Sequence, residues 1–239
     1  MADGFTTTAH DARLIQGLIR NLPVFSGVLP ANLAALSQEC WVLSAARGAL
    51  VAAQAARLPG VLGLAYGAVK LVLRRHDRAE RVLRVIGALQ TFGESSALLT
   101  RGAPYDAIAL QESKLVVIPT ASLFALLERD ARFARRMVTA LAEGKAELYA
   151  EMEAATLLSG MQRLAGYLKE LAGEERTLSL PFSKTLVASR LGIKKETLSR
   201  LLRELVEQRV IDMARREIVI LEPAALRELA SSGPVRTVS

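Results

Sequence analysis

The stretch that most constrains the fold runs from Ser183 to Arg209. Two short helical patterns, "SKTLVASRL" and "KETLSRLLRELVEQR", are separated by little more than one glycine. In the second pattern Leu198, Leu201, Leu202 and Leu205 recur at i, i+3, i+4 and i+7, which is one face of a helix with 3.6 residues per turn. Glu196, Ser199 and Arg200 fall at i, i+3 and i+4 and form a stripe pointing elsewhere. The turn is "LGI", residues 191–193, and a turn this tight calls for the positive φ that Gly192 adopts freely. Val187 and Leu191 of the first helix then pack against Leu198 and Leu202 of the second. Upstream lie a helix pattern, "MQRLAGYLKELAG", and a strand-like "TLSLPF". Downstream, "VIDMARREIVILE" reads as two β-branched runs around a basic turn. Helix, tight turn, helix and β-hairpin is the order of a winged helix-turn-helix.

With the leucines turned inward, Glu196, Ser199 and Arg200 face outward near the N-terminus of the second helix, the end that enters the major groove in such motifs. The residue types suit that position. Arg200 can donate a bidentate pair to guanine O6 and N7, Glu196 can accept from a cytosine amine, and Ser199 can donate, accept or touch a thymine methyl. Ser183, Lys184, Thr185, Lys194, Lys195 and Thr197 fall where phosphates would fix the register. Arg215 and Arg216, at the hairpin tip, suit a wing touching the flanking backbone. Each residue alone could be ordinary solvated surface, so the charge distribution decides. The chain carries a net +7 with a pI near 9.9. From Arg176 to Arg216 there are ten Lys/Arg against four acids, a balance of +6, so most of the excess surrounds these helices. That is the footprint of a partner such as double-stranded DNA.

Upstream the texture differs. The first 45 or so residues read as short helices, one of them "LPANLAALSQE". From Gly48 to Pro119 come short β-type runs, among them "GALVA", "GAVKLVL", "RVLRVIG" and "KLVVIP", separated by glycines or charges. Such spacing suits a small antiparallel barrel or roll. "LVLRRHDRAERVL" looks like two strands joined by a charged hairpin loop. A proline-free helical stretch then runs from about Ala121 to Leu158. Val138, Leu141, Leu148, Met152 and Ala155 keep a 3-and-4 spacing there, interrupted by Lys145, which suits a two-stranded seam between copies of the chain. The expected fold class is α+β in three parts: a β-roll with N-terminal helices (1–120), a dimerisation helix (121–158) and a winged helix-turn-helix (159–239).

Several classes are disfavoured. The most apolar stretch, "LPGVLGLAYGAV" (Leu58–Val69), is broken by Pro59 and glycines and is shorter than the roughly 20 residues a spanning helix needs, so no membrane partner is expected. No basic segment followed by an apolar run opens the chain, and the expectation is a cytoplasmic protein. The single cysteine, Cys40, excludes an intramolecular disulfide and any cluster held by several thiolates, and reads as a small buried apolar residue. There is no G-x-S-x-G elbow, no H-E-x-x-H, no P-loop and no His/Cys set at metal spacing, so the chain is not expected to be an enzyme.

"LVASRLGIKKETLSRLLRELVEQRVI" followed by "REIVIL", with "FGESSALL" upstream, closely resembles the Crp/Fnr family of bacterial transcription regulators. The resemblance implies a homodimer with an N-terminal β-roll of the cyclic-nucleotide-binding type, a long dimerisation helix and a C-terminal winged helix-turn-helix, with RNA polymerase as a further partner. It also implies that Glu196, Ser199 and Arg200 form the E-x-x-S-R recognition motif of the Fnr-like and Dnr-like branches, which read TTGAT-type half-sites arranged as a palindrome.

The resemblance places an effector pocket around Phe92, Gly93, Glu94 and Tyr105, with Leu148 and Tyr149 from the long helix. Members that bind cyclic AMP follow the Gly-Glu pair with an Arg that holds the cyclic phosphate. Here that region reads "TRGAPYDAIAL", the expected position falls near Tyr105 and Asp106, and Asp106 would repel a phosphate. The Thr-Ser pair those members use on the helix is replaced by Leu148 and Tyr149. Cyclic AMP is therefore not expected as the effector, and an iron–sulfur cluster is excluded by the lone cysteine. "APY" before the β-run is similar to the Dnr-like branch, whose members respond to nitric oxide through haem. Haem would need His10 or His76 as axial ligand. A regulator that needs no effector, with its β-roll acting only as a dimerisation scaffold, stays open beside it.

Overall fold

The computed structural model describes residues 5–7, 11–74, 80–180, 182–214 and 217–231. His10, His76, Arg215 and Arg216 lie outside the described residues. The chain divides into two compact units, Met1–Gly144 and Lys145–Ser239.

The first unit opens with strand β1 (Phe5–Thr7), helix α1 (Ala12–Asn21), a 3-10 turn (Pro23–Phe25) and helix α2 (Pro30–Glu39). Asp11 caps α1 by accepting from the N–H groups of Arg13 and Leu14, and Pro30 starts α2 at the first helical position, where a missing N–H costs nothing. Strands β2 (Trp41–Ala45), β3 (Leu50–Ala52), β4 (Gly60–Tyr66), β5 (Ala68–Arg74), β6 (Glu80–Gly87) and β7 (Thr91–Phe92) follow. Then come the short helix α3 (Glu94–Leu98), strands β8 (Asp106–Ala109) and β9 (Ser113–Pro119), helix α4 (Thr120–Arg129) and helix α5 (Ala131–Leu157), which continues into the second unit.

The strands form two antiparallel sheets, ordered β1-β2-β9-β4-β7 and β3-β8-β5-β6. Strand alternation sorts their side chains. Leu62, Leu64, Leu115 and Val117 of the first sheet meet Val69, Leu71, Ile86, Ala107 and Ala109 of the second in one apolar interior. Val61, Val116 and Ile118, one residue out of phase, pack with Ile15, Ile19, Leu33, Leu36, Leu123, Phe133 and Met137 of the helices. β4 and β9 are thus covered on both faces, which is why "GVLGLAY" and "KLVVIP" are continuous apolar runs rather than alternating ones. Within the apolar stretch at Leu58–Val69, Val61, Leu62, Leu64 and Val69 are buried in the sheets, while Pro59 and Tyr66 are exposed.

The structure corrects one expectation. The stretch read as a single helix over 121–158 is two, because Asp130 leaves helical geometry (φ −126, ψ 92). Its carboxylate accepts from the N–H groups of Arg132 (3.2 Å) and Phe133 (3.0 Å), capping α5. It also accepts from the Asn32 amide (3.2 Å) and the Leu29 N–H (3.4 Å) at the start of α2. Helix periodicity does not register this break, and two of the four donors, Leu29 and Asn32, lie about a hundred residues upstream. The seam is also shorter than expected. Val138, Leu148 and Met152 are 65, 62 and 67 % exposed, but Leu141 packs against the core of the first unit.

Beyond α5, the second unit comprises α6 (Gly160–Ala172), β10 (Thr177–Ser179), α7 (Lys184–Leu191), α8 (Lys195–Glu207), β11 (Ile211–Ala214), β12 (Glu217–Ile220) and α9 (Pro223–Ser231). Ser159 and Gln162 form a capping box at the start of α6, and the Arg163 guanidinium donates to the Leu158 carbonyl (2.7 Å) at the end of α5. The three strands order β10-β12-β11, all antiparallel, so the strand-like "TLSLPF" becomes the edge partner of the wing hairpin. Helix α9, which the sequence reading does not anticipate, buries Leu226 against the core built by α6, α7 and α8.

Candidate functional site

The reading head is built from its caps inward. Ser183 is the N-cap of α7, its hydroxyl oxygen accepting from the Leu186 N–H (3.3 Å). Gly192 closes the same helix at φ +65, ψ 32, with the Ile193 N–H donating to the Ala188 carbonyl (3.0 Å). This left-handed residue provides the tight turn expected from the sequence. Across the turn Val187 and Leu191 join Leu198, Leu201, Leu202 and Leu205 in one buried cluster with Leu164, Leu168 and Ile211. Leu198 and Leu205 are wholly inaccessible to solvent.

Burying that face fixes the opposite one. Glu196 and Arg200 are exposed and Ser199 is half-buried, all on α8. Neither Glu196 nor Arg200 forms an ion pair with another described residue, so both heads are free to reach an incoming partner. Thr185, Lys194 and Lys195 are exposed and Lys184 and Thr197 half-buried around them. Lys194 stands at the N-cap of α8 with no side-chain cap, and Lys195 follows as the first helical residue. Two cations at the positive end of a helix, beside unsatisfied N–H groups, oppose the macrodipole and favour an anion there. Not every basic residue of the segment is available. Arg190 lies 5.7 Å from the ring centroid of the buried Tyr167 and acts in packing. No sequence signal marks that stacking or the Arg163 contact, whereas Asp130 is of a residue type that caps helix starts.

The β-roll brings together part of the expected pocket. Phe92 lies in the roll's apolar interior, Gly93 begins α3 in a left-handed conformation, and Glu94 is half-buried at its start. Tyr105 packs against the same interior, and its phenol is pushed up to about 12, chiefly by burial and then by the Glu94 carboxylate, against an opposing Gly93 backbone hydrogen bond. Tyr105 is therefore a neutral hydroxyl at any physiological pH. Leu148 and Tyr149 belong to the second unit and are exposed along α5, where Lys145 Nζ sits 5.6 Å from the Tyr149 ring centroid.

Asp106 needs a correction. Its carboxylate is expected from the sequence to repel a phosphate. In the structure it accepts from the Gln54 N–H (2.7 Å) and pairs with Arg74 Nε (3.3 Å). Alternation along β8 also puts it on the face opposite Ala107 and Ala109, which line the roll's interior. Cys40 is buried in the helix-facing core, as expected, and burial together with Glu39 raises its thiol to about 12. Among the described residues no group of three or more His, Cys, Asp or Glu could hold a metal ion.

A β-roll followed by a winged helix-turn-helix with an exposed polar stripe defines a class: DNA-binding regulators with a sensor domain. Residues 31–130 match the cyclic nucleotide-binding domain family and residues 162–229 the Crp-like helix-turn-helix domain family. With both domains in this order, the chain belongs to the Crp/Fnr family of DNA-binding transcription regulators, whose members act as dimers. It is 26% identical over 167 residues to the cyclic AMP receptor protein of Thermus thermophilus, covering 70% of this chain and 77% of that one. Its fold is similar to that of FixK2 from Bradyrhizobium japonicum (TM-score 0.71, 20% identity, 81% of this chain and 98% of that one). A Crp/Fnr family transcriptional regulator, also from Thermus thermophilus, is similar too (TM-score 0.64, 23% identity, 80% and 98% covered). These relatives are transcription regulators and not enzymes. No helix among the described residues is long and apolar enough to cross a membrane.

Proposed function

We propose that the chain acts as a homodimer that reads a palindromic, TTGAT-like site through Glu196, Ser199 and Arg200 of each protomer, as the Fnr-like and Dnr-like branches do. The observation that carries this reading is the exposed, unpaired Glu196 and Arg200 on a helix whose other face is locked by four buried leucines. A rigid helix holding these heads at fixed spacing is what base-edge recognition requires. Ser183, Lys184, Thr185, Lys194, Lys195 and Thr197 hold phosphates in this reading, and Arg215 and Arg216 serve the wing. The domain roles follow: 1–120 as sensor, 121–158 as dimerisation segment and 159–239 as DNA-binding domain. The exposed apolar stripe of Val138, Leu148 and Met152 supports pairing of α5 with its copy, since such a stripe is unstable facing water. RNA polymerase is the further partner that family membership suggests.

The signal is read as a small molecule or gas acting at the β-roll, and not as cyclic AMP. Tyr105, a neutral phenol beside Glu94, occupies the region where a phosphate-binding arginine would be needed. Haem does not fit the donor set described there, which offers no histidine or cysteine and a Tyr105 held as the neutral phenol rather than the phenolate that would ligate iron. The two histidines, His10 and His76, lie outside the described residues, and nitric oxide sensing through haem rests on them alone. One observation favours the effector-independent alternative: Leu62, Leu64, Phe92, Leu115 and Val117 fill the interior of the roll.

Fluorescence anisotropy with purified protein tests both levels. A duplex with two inverted TTGAT half-sites should bind at least about a thousandfold tighter than a scrambled duplex at physiological salt. Equal affinities would overturn the reading. Tight binding without added ligand, from protein lacking a Soret band, would select the effector-independent form.

A further inference from the structure

The start of α5 carries "ARFARRMVT", residues 131–139. Phe133 and Met137 of this segment are buried in the helix-facing core. Arg132, Arg135, Arg136 and Thr139 are left on the outer side, where they alone line a cleft of about 220 Å³. None of the three guanidiniums pairs with a carboxylate among the described residues. The nearest acid in sequence, Asp130, forms no ion pair with them, and its oxygens accept instead from the N–H groups of Leu29, Arg132 and Phe133 and from the Asn32 amide.

The cleft is shaped as well as charged. Arg136 lies over Gly27, whose φ is +77, and a Cβ there would come within 3.1 Å of the guanidinium. Both the backbone conformation and the close approach call for glycine, so the chain makes room for that arginine. Arg132 and Arg136 stand at i and i+4, with Arg135 between them, a like-charge spacing that destabilises a helix unless something negative sits among the heads. At about 100° per residue, Arg132, Arg136 and Thr139 fall roughly 100–160° around α5 from Val138 and Arg135 about 60°, all on the side turned away from Leu148 and Met152.

We propose that Arg132, Arg135, Arg136 and Thr139 form a binding site for a polyphosphate group: two or more adjacent phosphoryls, free or carried by a nucleotide. Guanidinium forks match phosphate oxygens bidentately, and the Thr139 hydroxyl can donate beside them. Two phosphoryls bring about three negative charges near neutral pH, which balances three arginines, whereas a single carboxylate would leave most of the positive charge standing. A small cleft also suits a compact anion better than an extended acidic peptide. The site is separate from the DNA-reading residues and does not depend on their roles.

Calorimetry on the full-length protein tests the site, with inorganic pyrophosphate and a nucleoside triphosphate as separate probes. Saturable binding at one site per chain is expected for at least one of them. The Arg132→Gln/Arg135→Gln double variant should lose at least tenfold in affinity, while Arg13→Gln, which removes an exposed charge on α1, should keep it. Equal affinities for the two probes would assign recognition to the phosphoryls, and a tighter nucleotide would add the base or sugar. Absence of saturable binding of both probes to the wild-type protein overturns the proposal, whatever the variants do. So does an equal loss in Arg13→Gln. A double variant that weakens binding of random duplex DNA or a poly-glutamate peptide, with no polyphosphate binding in the wild type, would reassign the arginines to that partner.

Discussion

Asp130 is the residue through which the first unit is most open to a decisive perturbation. It is buried and its carboxylate receives four hydrogen bonds, two from the first turn of α5 and two from the start of α2. Replacing it with alanine removes an N-cap, which costs about 1 kcal/mol. It also orphans the Asn32 amide and the Leu29 N–H, and since the bond to Leu29 is long at 3.4 Å these two together add roughly another 1 kcal/mol. The sum of about 2 kcal/mol corresponds to a fall in melting temperature of roughly 4–8 °C for a protein of this size. The Phe133 N–H first, then the Asn32 amide and the other two N–H groups, hold the carboxyl below its usual range against the effect of burial. A lowered folded pKa means that the carboxylate's contribution is complete above the ordinary unfolded value near 4 and disappears as pH falls through the lowered one. Thermal melts of wild type, Asp130→Ala and Asp130→Asn at pH 7 and at stepwise lower pH read this directly. The deficit of Asp130→Ala should shrink as the pH falls below the ordinary carboxylate value. Asp130→Asn should melt between the wild type and Asp130→Ala at pH 7, because its amide oxygen keeps the cap on α5 while its NH2 faces the Leu29 and Asn32 donors and cannot accept from them. An Asp130→Ala protein that melts with the wild type at pH 7, or a deficit that does not move with pH, would refute the argument.

Other outcomes are equally direct. Arg200→Ala should cost about 1–3 kcal/mol on the palindromic site and relax discrimination at one base pair per half-site, whereas Lys184→Ala should weaken all sequences alike and flatten the salt dependence by about one counterion. Identical behaviour of the two variants on specific and random duplexes would undo the assignment of roles. Leu148→Glu combined with Met152→Glu places charges in the exposed stripe of α5 and should shift sedimentation from dimer to monomer; a variant that still sediments as a dimer places the interface elsewhere. Cys40 should resist an aromatic disulfide reagent in the native protein and react once the chain is unfolded, because burial both blocks access and holds the thiol protonated, up to a pKa of about 12. Rapid native labelling would contradict that.

The reading head was legible because its information is local. Leucine spacing, one glycine and a cluster of charges lie within about thirty residues, and packing across so short a turn has a single solution, so Gly192, the buried leucines and the outward stripe of Glu196, Ser199 and Arg200 followed from the sequence. The β-runs were legible as strands but not as partners, because "KLVVIP" is apolar on both faces and only the observed sheet says that Val116 faces helices while Leu115 faces the roll. The bonds that tie Asp130 to Leu29 and Asn32, the pairing of Asp106 with Arg74, the stacking of Arg190 on Tyr167 and the unpaired arginines of α5 were decided by tertiary structure alone. Each depends on which groups become neighbours and which carboxylates are already engaged. Spacing along a helix fixes the direction a side chain takes from its own backbone; whether it finds an acid, a ring, an amide or open solvent there is settled by segments far away in the chain, and that choice determines whether its charge is spent on the fold or left for a ligand.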